Sequence, residues 1–299
     1  KFESDLMSWL NVPHVLTLNS GTSALHLALR LSDASVDDEV ISTPMTCMAT
    51  NVPVLANGAR LVWADINPRT GNICPESVAR RIGPKTKAIL CVDWAGYPCE
   101  LEALRALADQ HGIRLIEDAA HAFGAVYQGS KVGSHSHFTT FSFQAIKHLT
   151  TVDGGLLTCS RSEDHSRGKL LRWYGIDRDT PRRDFRCEED VVEYGYKFHM
   201  NDVTAAIGIE QLKCVDGILA AHRSHARQYR EAFADLESRG LKLLEYKDDR
   251  ESAYWLFTIL VPDRQKFMSA MQLAGITVSQ VHARNDKHTV FRAFQADLP

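Results

Sequence analysis

The sequence predicts an α/β protein: a mostly parallel sheet of seven strands flanked by helices, followed by a smaller α+β unit at the C-terminal end. Three observations lead there. Short runs rich in Val, Ile and Leu recur along the first half, stretches with helical spacing separate them, and the pattern changes after Met200. With 299 residues, 44% hydrophobic and 24% charged, the chain is long enough for a sizeable core and two domains.

Strands are expected at Val15–Leu18, Glu39–Ser42, 60–64, 88–92, 114–117, 138–143 and 155–158, each a length one strand can use. Helical spacing over 23–31, 75–82 and 100–111 supplies the crossovers of a doubly wound layer. From Asp202 to about Glu237, alanines and leucines interspersed with charges predict one long connector helix. Beyond it, 241–246 and 255–261 read as strands, 265–274 as a helix and 276–281 as a last strand. The division falls near residue 216, giving a large domain over 1–215 and a small one over 216–299. The chain begins at Lys1 and stops at Pro299 with no terminal element, and is read as a piece trimmed at both ends.

A formal charge of -3 provides no basic field for nucleic acid or a membrane surface. No apolar run approaches the roughly 20 residues of a membrane helix. The seven cysteines, at 47, 74, 91, 99, 159, 187 and 214, form no Cys-x-x-Cys pair, which suits reduced thiols in the cytoplasm better than disulfides or zinc. His135 and His137 flank Ser136 without further ligand spacing and read as structural, so no metal site is expected.

Chemistry is written at three places. The run from Val15 to Leu25 passes from a strand through Asn19, Ser20 and Gly21 into a helix, so N–H groups at Gly21, Thr22 and Ser23 face any incoming anion. Taken alone, Asn19, Ser20 and Thr22 are ordinary helix caps. The strand at 114–117 ends in Glu117 and Asp118, with His121 close behind; a carboxylate at a strand's carboxyl end can keep a pyridine nitrogen protonated, or simply cap the helix that follows. Then Ser142-x-x-x-x-Lys147 precedes a Gly pair at 154–155. A lysine binds an aldehyde as an imine only when burial or neighbouring cations lower its pKa, and most lysines are solvated. Phosphate turn, strand-end Asp and Lys in this order are the arrangement of a fold-type-I pyridoxal-phosphate (PLP) enzyme.

Four stretches carry a resemblance: Asn-Ser-Gly-Thr-Ser-Ala-Leu at 19–25, Glu-Asp-Ala-Ala-His-Ala-Phe-Gly-Ala at 117–125, Phe-Ser-Phe-x3-Lys-x-Leu-Thr-Thr at 141–151, and Gly-Tyr-Lys-Phe-His-Met-Asn-Asp-Val-x-Ala-Ala-Ile-Gly at 195–208. In these the sequence resembles the DegT/DnrJ/EryC1/StrS family of sugar-nucleotide aminotransferases, from about Phe2 to the end. The resemblance implies PLP as cofactor, with its phosphate on Gly21, Thr22, Ser23 and Ser142, Asp118 on the pyridine nitrogen and His121 at the ring. Lys147 would be the Schiff-base lysine and the proton shuttle. It further implies an amino donor such as glutamate, a nucleotide-linked keto-sugar as acceptor, and a homodimer with shared sites. A place in lipopolysaccharide or antibiotic sugar biosynthesis follows from family habit.

The sequence departs from the family at two points. Lys197 stands where asparagine is more frequent for reaching the partner subunit's phosphate, and as a point charge it can keep that role or be a solvated lysine. Cys47 stands where many relatives place a stacking ring; Trp94 can fill part of that space or belong to the core. For the substrate, 171–178 resembles a family loop whose arginines, Arg178 among them, can meet a nucleotide diphosphate; 281–288 can play a similar part through His282 and Arg284, and both stretches can equally be ordinary polar surface. A same-fold sugar dehydratase carries histidine in place of Lys147, and His148 is at the wrong position to replace it. A non-catalytic relative that only binds PLP or a sugar nucleotide has no need of the imine lysine. A Rossmann dehydrogenase lacks its Gly-x-Gly-x-x-Gly here.

Overall fold

A computed structural model describes residues 1–180, 190–294 and 298; Cys187 lies outside the described residues. Helix α1 (Phe2–Leu10) precedes β1 (Val15–Leu18), and α2 (Gly21–Leu31) carries the chain to β2 (Glu39–Ser42). The alternation continues through α3 (Met48–Ala56), β3 (Arg60–Trp63), α4 (Pro75–Ala79), β4 (Thr86–Val92), α5 (Leu101–His111) and β5 (Arg114–Asp118). A short hairpin, β6 (Val126–Tyr127) and β7 (Ser130–Lys131), comes before β8 (Phe138–Ser142), β9 (Gly155–Cys159) and α6 (Ser162–Leu171).

Seven strands form one sheet in the order β1-β9-β8-β5-β4-β2-β3, at the seven places expected and with ends shifted by two residues at most. From β8 to β3 every pairing is parallel, whereas β9 runs antiparallel to both β8 and β1. Strands buried on both faces divide their side chains between two cores. Ile41, Cys91, Leu115, Phe141 and Leu156 join the layer that includes α1 and α5. Their neighbours Val40, Leu90, Ile116 and Leu157 join the layer under α2 and α3. This parity fixes where the polar strand ends point: Glu117 shares the face of Leu115, and Asp118 and Ser142 share the face of Ile116, toward α2 and α3.

The C-terminal part departs from expectation in two ways. The helix expected over 202–237 is two helices, α7 (Asp202–Leu212) and α8 (Val215–Phe233), with a 3-10 turn after them. Cys214 donates its N–H to Gln211 three residues back, and this tightened turn redirects the chain. The halves serve different partners: Gly208 of α7 sits against Phe2, and Leu219 of α8 packs on Gly124. Of the expected strands, only β10 (Lys242–Leu243) and β12 (Ile259–Leu260) form, as an antiparallel pair, before α9 (Arg264–Leu273). The run 276–281 is not a strand: Ile276 is exposed, and Val281 at its other end packs against the Trp94 cluster. A further short strand, β11 (Arg250–Glu251), pairs with β6 and stitches the C-terminal part to the large sheet's side of the molecule.

Candidate active site

The parallel strands end on one edge of the sheet, where ligands of open α/β folds collect. There β1 and β8 both finish opposite Gly155, the first residue of β9. A Cβ on Gly155 would lie 2.3 Å from the Ser20 carbonyl oxygen and 2.6 Å from the Gly21 nitrogen, so only glycine lets the chain after β1 settle here. Gly21 is equally close to β8: its Cβ would fall 2.9 Å from that of Ser142. The two glycines thus bring the start of α2 onto the Ser142 side chain. Ser20 caps α2, accepting from the Ser23 N–H at 3.0 Å, and the Ser23 hydroxyl donates to Asn19 Oδ1 at 2.6 Å. The N–H groups of Gly21 and Thr22 have no acceptor among the described residues. The helix is capped by Ser20 and still presents two donors to an anion.

Asp118 is buried at the end of β5, on the face toward α3. Thr50 of α3 donates to Asp118 Oδ2 at 2.7 Å, and the Ala120 N–H donates to Oδ1 at 3.1 Å. Burial pushes this carboxyl up, while the Thr50 and Ala120 hydrogen bonds and the Lys147 charge pull it down. The amine of Lys147 is drawn down to about 8 by burial, against the opposing pull of Asp118 and Cys47. His121 is 5% exposed, and burial, with the nearby Lys147, His282 and His148, holds it neutral well below the usual histidine range. Its Nδ1 has no partner among the described residues.

Trp255, from the stretch expected to be a plain strand, completes the cluster. Its ring stacks on His121 with centroids 3.8 Å apart and planes 13° apart, Lys147 Nζ lies 3.9 Å from the same ring, and its indole N–H donates to the Ile146 carbonyl at 3.0 Å. The ring shields the amine and pins the loop that carries it. His282 lies beyond, parallel to His121 at 5.9 Å. An amine that gives up its proton near pH 8, within electrostatic reach of a buried carboxylate, is equipped to attack a carbonyl carbon and to carry a proton.

The structure places the remaining sequence candidates elsewhere. Trp94 is 2% exposed, packed on Gly71 and among Ala95, Leu244 and Tyr246, in a small core cluster that Met45 also packs against. Arg178 and Lys197 are exposed and share the Trp173 ring, at 4.4 and 5.5 Å from its centroid. The backbone at Lys197 and Phe198 accepts from Asn19, next to the start of α2. Arg284 is taken up by both oxygens of buried Asp286. His137 accepts from the Leu115 N–H and faces Asp109, His135 packs edge-on against Tyr127, and His148 is buried against His222.

The sequence profile of the DegT/DnrJ/EryC1/StrS aminotransferase family matches residues 1–296. The chain belongs to this family. Within it, the chain is 32% identical over 294 residues to the spore coat polysaccharide biosynthesis protein SpsC of Bacillus subtilis, covering 97% of this chain and 73% of SpsC. The sugar aminotransferase CalS13 from Micromonospora echinospora has the same fold, with a TM-score of 0.94 and 38% identity over 100% of this chain and 82% of CalS13. Spr1654 from Streptococcus pneumoniae, solved in PLP and PMP forms, matches with TM-scores of 0.88 and 0.89, at 26% and 27% identity, over 99% of this chain and 80% and 79% of Spr1654. The fold is therefore that of the fold-type-I PLP aminotransferases, and the family's cofactor is PLP. The groups on the sheet edge suit that cofactor: free helix-end N–H groups for a phosphate, a buried carboxylate for a ring nitrogen, an amine of lowered basicity for an aldehyde, and a buried His121 Nδ1 with no partner among the described residues.

Proposed function

We propose that this aminotransferase moves an amino group from an amino acid, glutamate by preference, to a keto-sugar linked to a nucleotide. What carries the proposal is the Lys147 amine, drawn to about 8 and set beside buried Asp118 on the edge that also holds the open start of α2. The Gly21 and Thr22 N–H groups and the Ser142 hydroxyl would hold the phosphate of PLP, with Ser23 keeping the helix end in shape. Asp118 would keep the ring nitrogen protonated, since an opposite charge favours the charged form. Lys147 would hold the aldehyde carbon and, once released from it, take the α-proton of the donor on Nζ and pass it to that same aldehyde carbon. When bound, PLP supplies the electron sink that lets that proton leave and carries the amino group between the two substrates. His121 and Trp255 would wall the reacting face against water.

The sugar acceptor is supported by the names of the relatives, CalS13 as a sugar aminotransferase and SpsC in polysaccharide biosynthesis. A nucleotide diphosphate suits the exposed cations Arg178 and Lys197, while His282 faces the site from the C-terminal side. We place the enzyme in the cytoplasm as a homodimer. Ile146 and Val152, each 65% exposed, flank the Lys147 loop and present apolar surface that a second copy would cover. Lys197 would then reach the partner's phosphate.

Absorbance during titration with PLP tests the proposal. The parent should develop a visible band that glutamate bleaches, and Lys147→Ala should develop none; the bleached enzyme should then aminate a keto-sugar nucleotide. A parent that forms no band, or a band that survives in Lys147→Ala, overturns it.

A further inference from the structure

We propose that Thr50 is a positioning residue for the Asp118 carboxylate, and that Asn285, by gripping Thr46, makes this position depend on the C-terminal segment being docked on α3. The proposal rests on Asp118 as the partner of the cofactor's ring nitrogen.

The direction of each hydrogen bond follows from the chemistry. Thr50 has one hydroxyl proton, and it goes to Asp118 Oδ2 at 2.7 Å, because a carboxylate only accepts. Thr46 Oγ1 lies 2.8 Å from Thr50 Oγ1, so Thr46 is the donor in that pair. The result is a relay from Thr46 to Thr50 to Asp118, with both threonines 1% exposed. Such a relay holds the carboxylate in one rotamer and polarises the hydroxyl that faces it.

Asn285 fixes the other end. Its Nδ2 donates to the Thr46 carbonyl at 2.7 Å, its backbone N–H donates to the Pro44 carbonyl at 2.8 Å, and its Oδ1 accepts from Asn51 Nδ2 at 2.8 Å. Asn51 in turn accepts from the Ser42 hydroxyl at 2.7 Å. Every polar atom of the Asn285 side chain is used, and the residue is 1% exposed. Three positions earlier the same segment carries His282, parallel to His121. Docking of the segment thus brings His282 to the site and seats the loop that aims Asp118.

The test reads cofactor affinity on purified protein by absorbance titration with PLP, beside a thermal melt of each variant. Thr50→Val keeps the shape and loses the hydroxyl, and it should bind PLP ~10-fold more weakly, the order expected for a hydrogen bond to a charged group. Thr50→Ser should return to within about threefold of the parent, which a merely structural role for the methyl group would not produce. Asn285→Ala should also weaken PLP, and its combination with Thr50→Val should weaken it by less than the product of the two single effects, because both act through one carboxylate. PLP affinity of Thr50→Val equal to the parent's, or of Thr50→Ser equal to Thr50→Val's, overturns the role of Thr50. Independent, multiplying effects overturn the link to Asn285. A parent that does not bind PLP at all overturns the proposed function instead, and the Thr50 pair decides the positioning role even if the Asn285 variant does not fold.

Discussion

The Lys147 amine is half-buried under the Trp255 ring, and burial outweighs the attraction of Asp118, so it loses its proton near pH 8 rather than at the ordinary lysine value. Only the neutral amine attacks an aldehyde. The rate at which unliganded protein captures PLP should therefore rise with pH and level off above an inflection near 8; stopped-flow absorbance would show an inflection above pH 10 if the amine were solvated. The sign for stability agrees, since the unfolded chain holds this proton more tightly between about 8 and 10.5, and the lysine's contribution grows as pH rises through that window. Trp255→Ala should open the amine to water and move the capture inflection upward, whereas Trp255→Phe should leave it near the parent value. Asp118, Ser142 and Lys147 were legible because each sits in a local pattern of strand end or turn. Trp255, Thr50 and Asn285 were not: Thr50 meets Asp118 across 68 positions and Asn285 meets Thr46 across 239, and no local spacing encodes such contacts.

Strands were the most readable elements, since a sheet covered on both faces demands continuous apolar runs and turns between them. The reversal of β9 was not readable, because its composition is that of the strands that pair in parallel elsewhere in the sheet. The break between α7 and α8 was hidden for a similar reason: nothing in Lys213-Cys214 forbids helix, and it is packing on α1 and on Gly124 that redirects the chain. Only glycine at 155 permits the edge between β9 and α2. Gly155→Ala would push a methyl into the Ser20 carbonyl and the Gly21 nitrogen, backbone atoms that cannot swing away. It should cost about 1–3 kcal/mol in denaturant unfolding and weaken PLP binding as well. A parent-like Gly155→Ala in both measurements would show that this contact is slack.

At the scale of the whole molecule, the C-terminal part is held to the large sheet's layer by Arg250. Its guanidinium is buried between Tyr97 and Tyr127, donating to the Pro98 and Cys99 carbonyls at 3.1 and 2.8 Å and to Glu100 at 3.1 Å. Arg250→Met leaves those carbonyls without their donor and should cost about 3 kcal/mol, lowering Tm by several degrees. Because Trp255 follows Arg250 by five residues and stacks on His121, the variant should bind PLP more weakly; unchanged affinity with a lowered Tm would separate the clamp from the site. In solution the chain should sediment as a dimer, and charged residues at Ile146 and Val152 should shift it toward monomer and weaken activity together. Lys147, as the residue proposed to hold the cofactor, can be trapped in the act: borohydride reduction of the PLP-loaded protein, followed by digestion and mass spectrometry, should put the pyridoxyl phosphate mass on the peptide containing Lys147, and label confined to another lysine, or no label, would contradict that role.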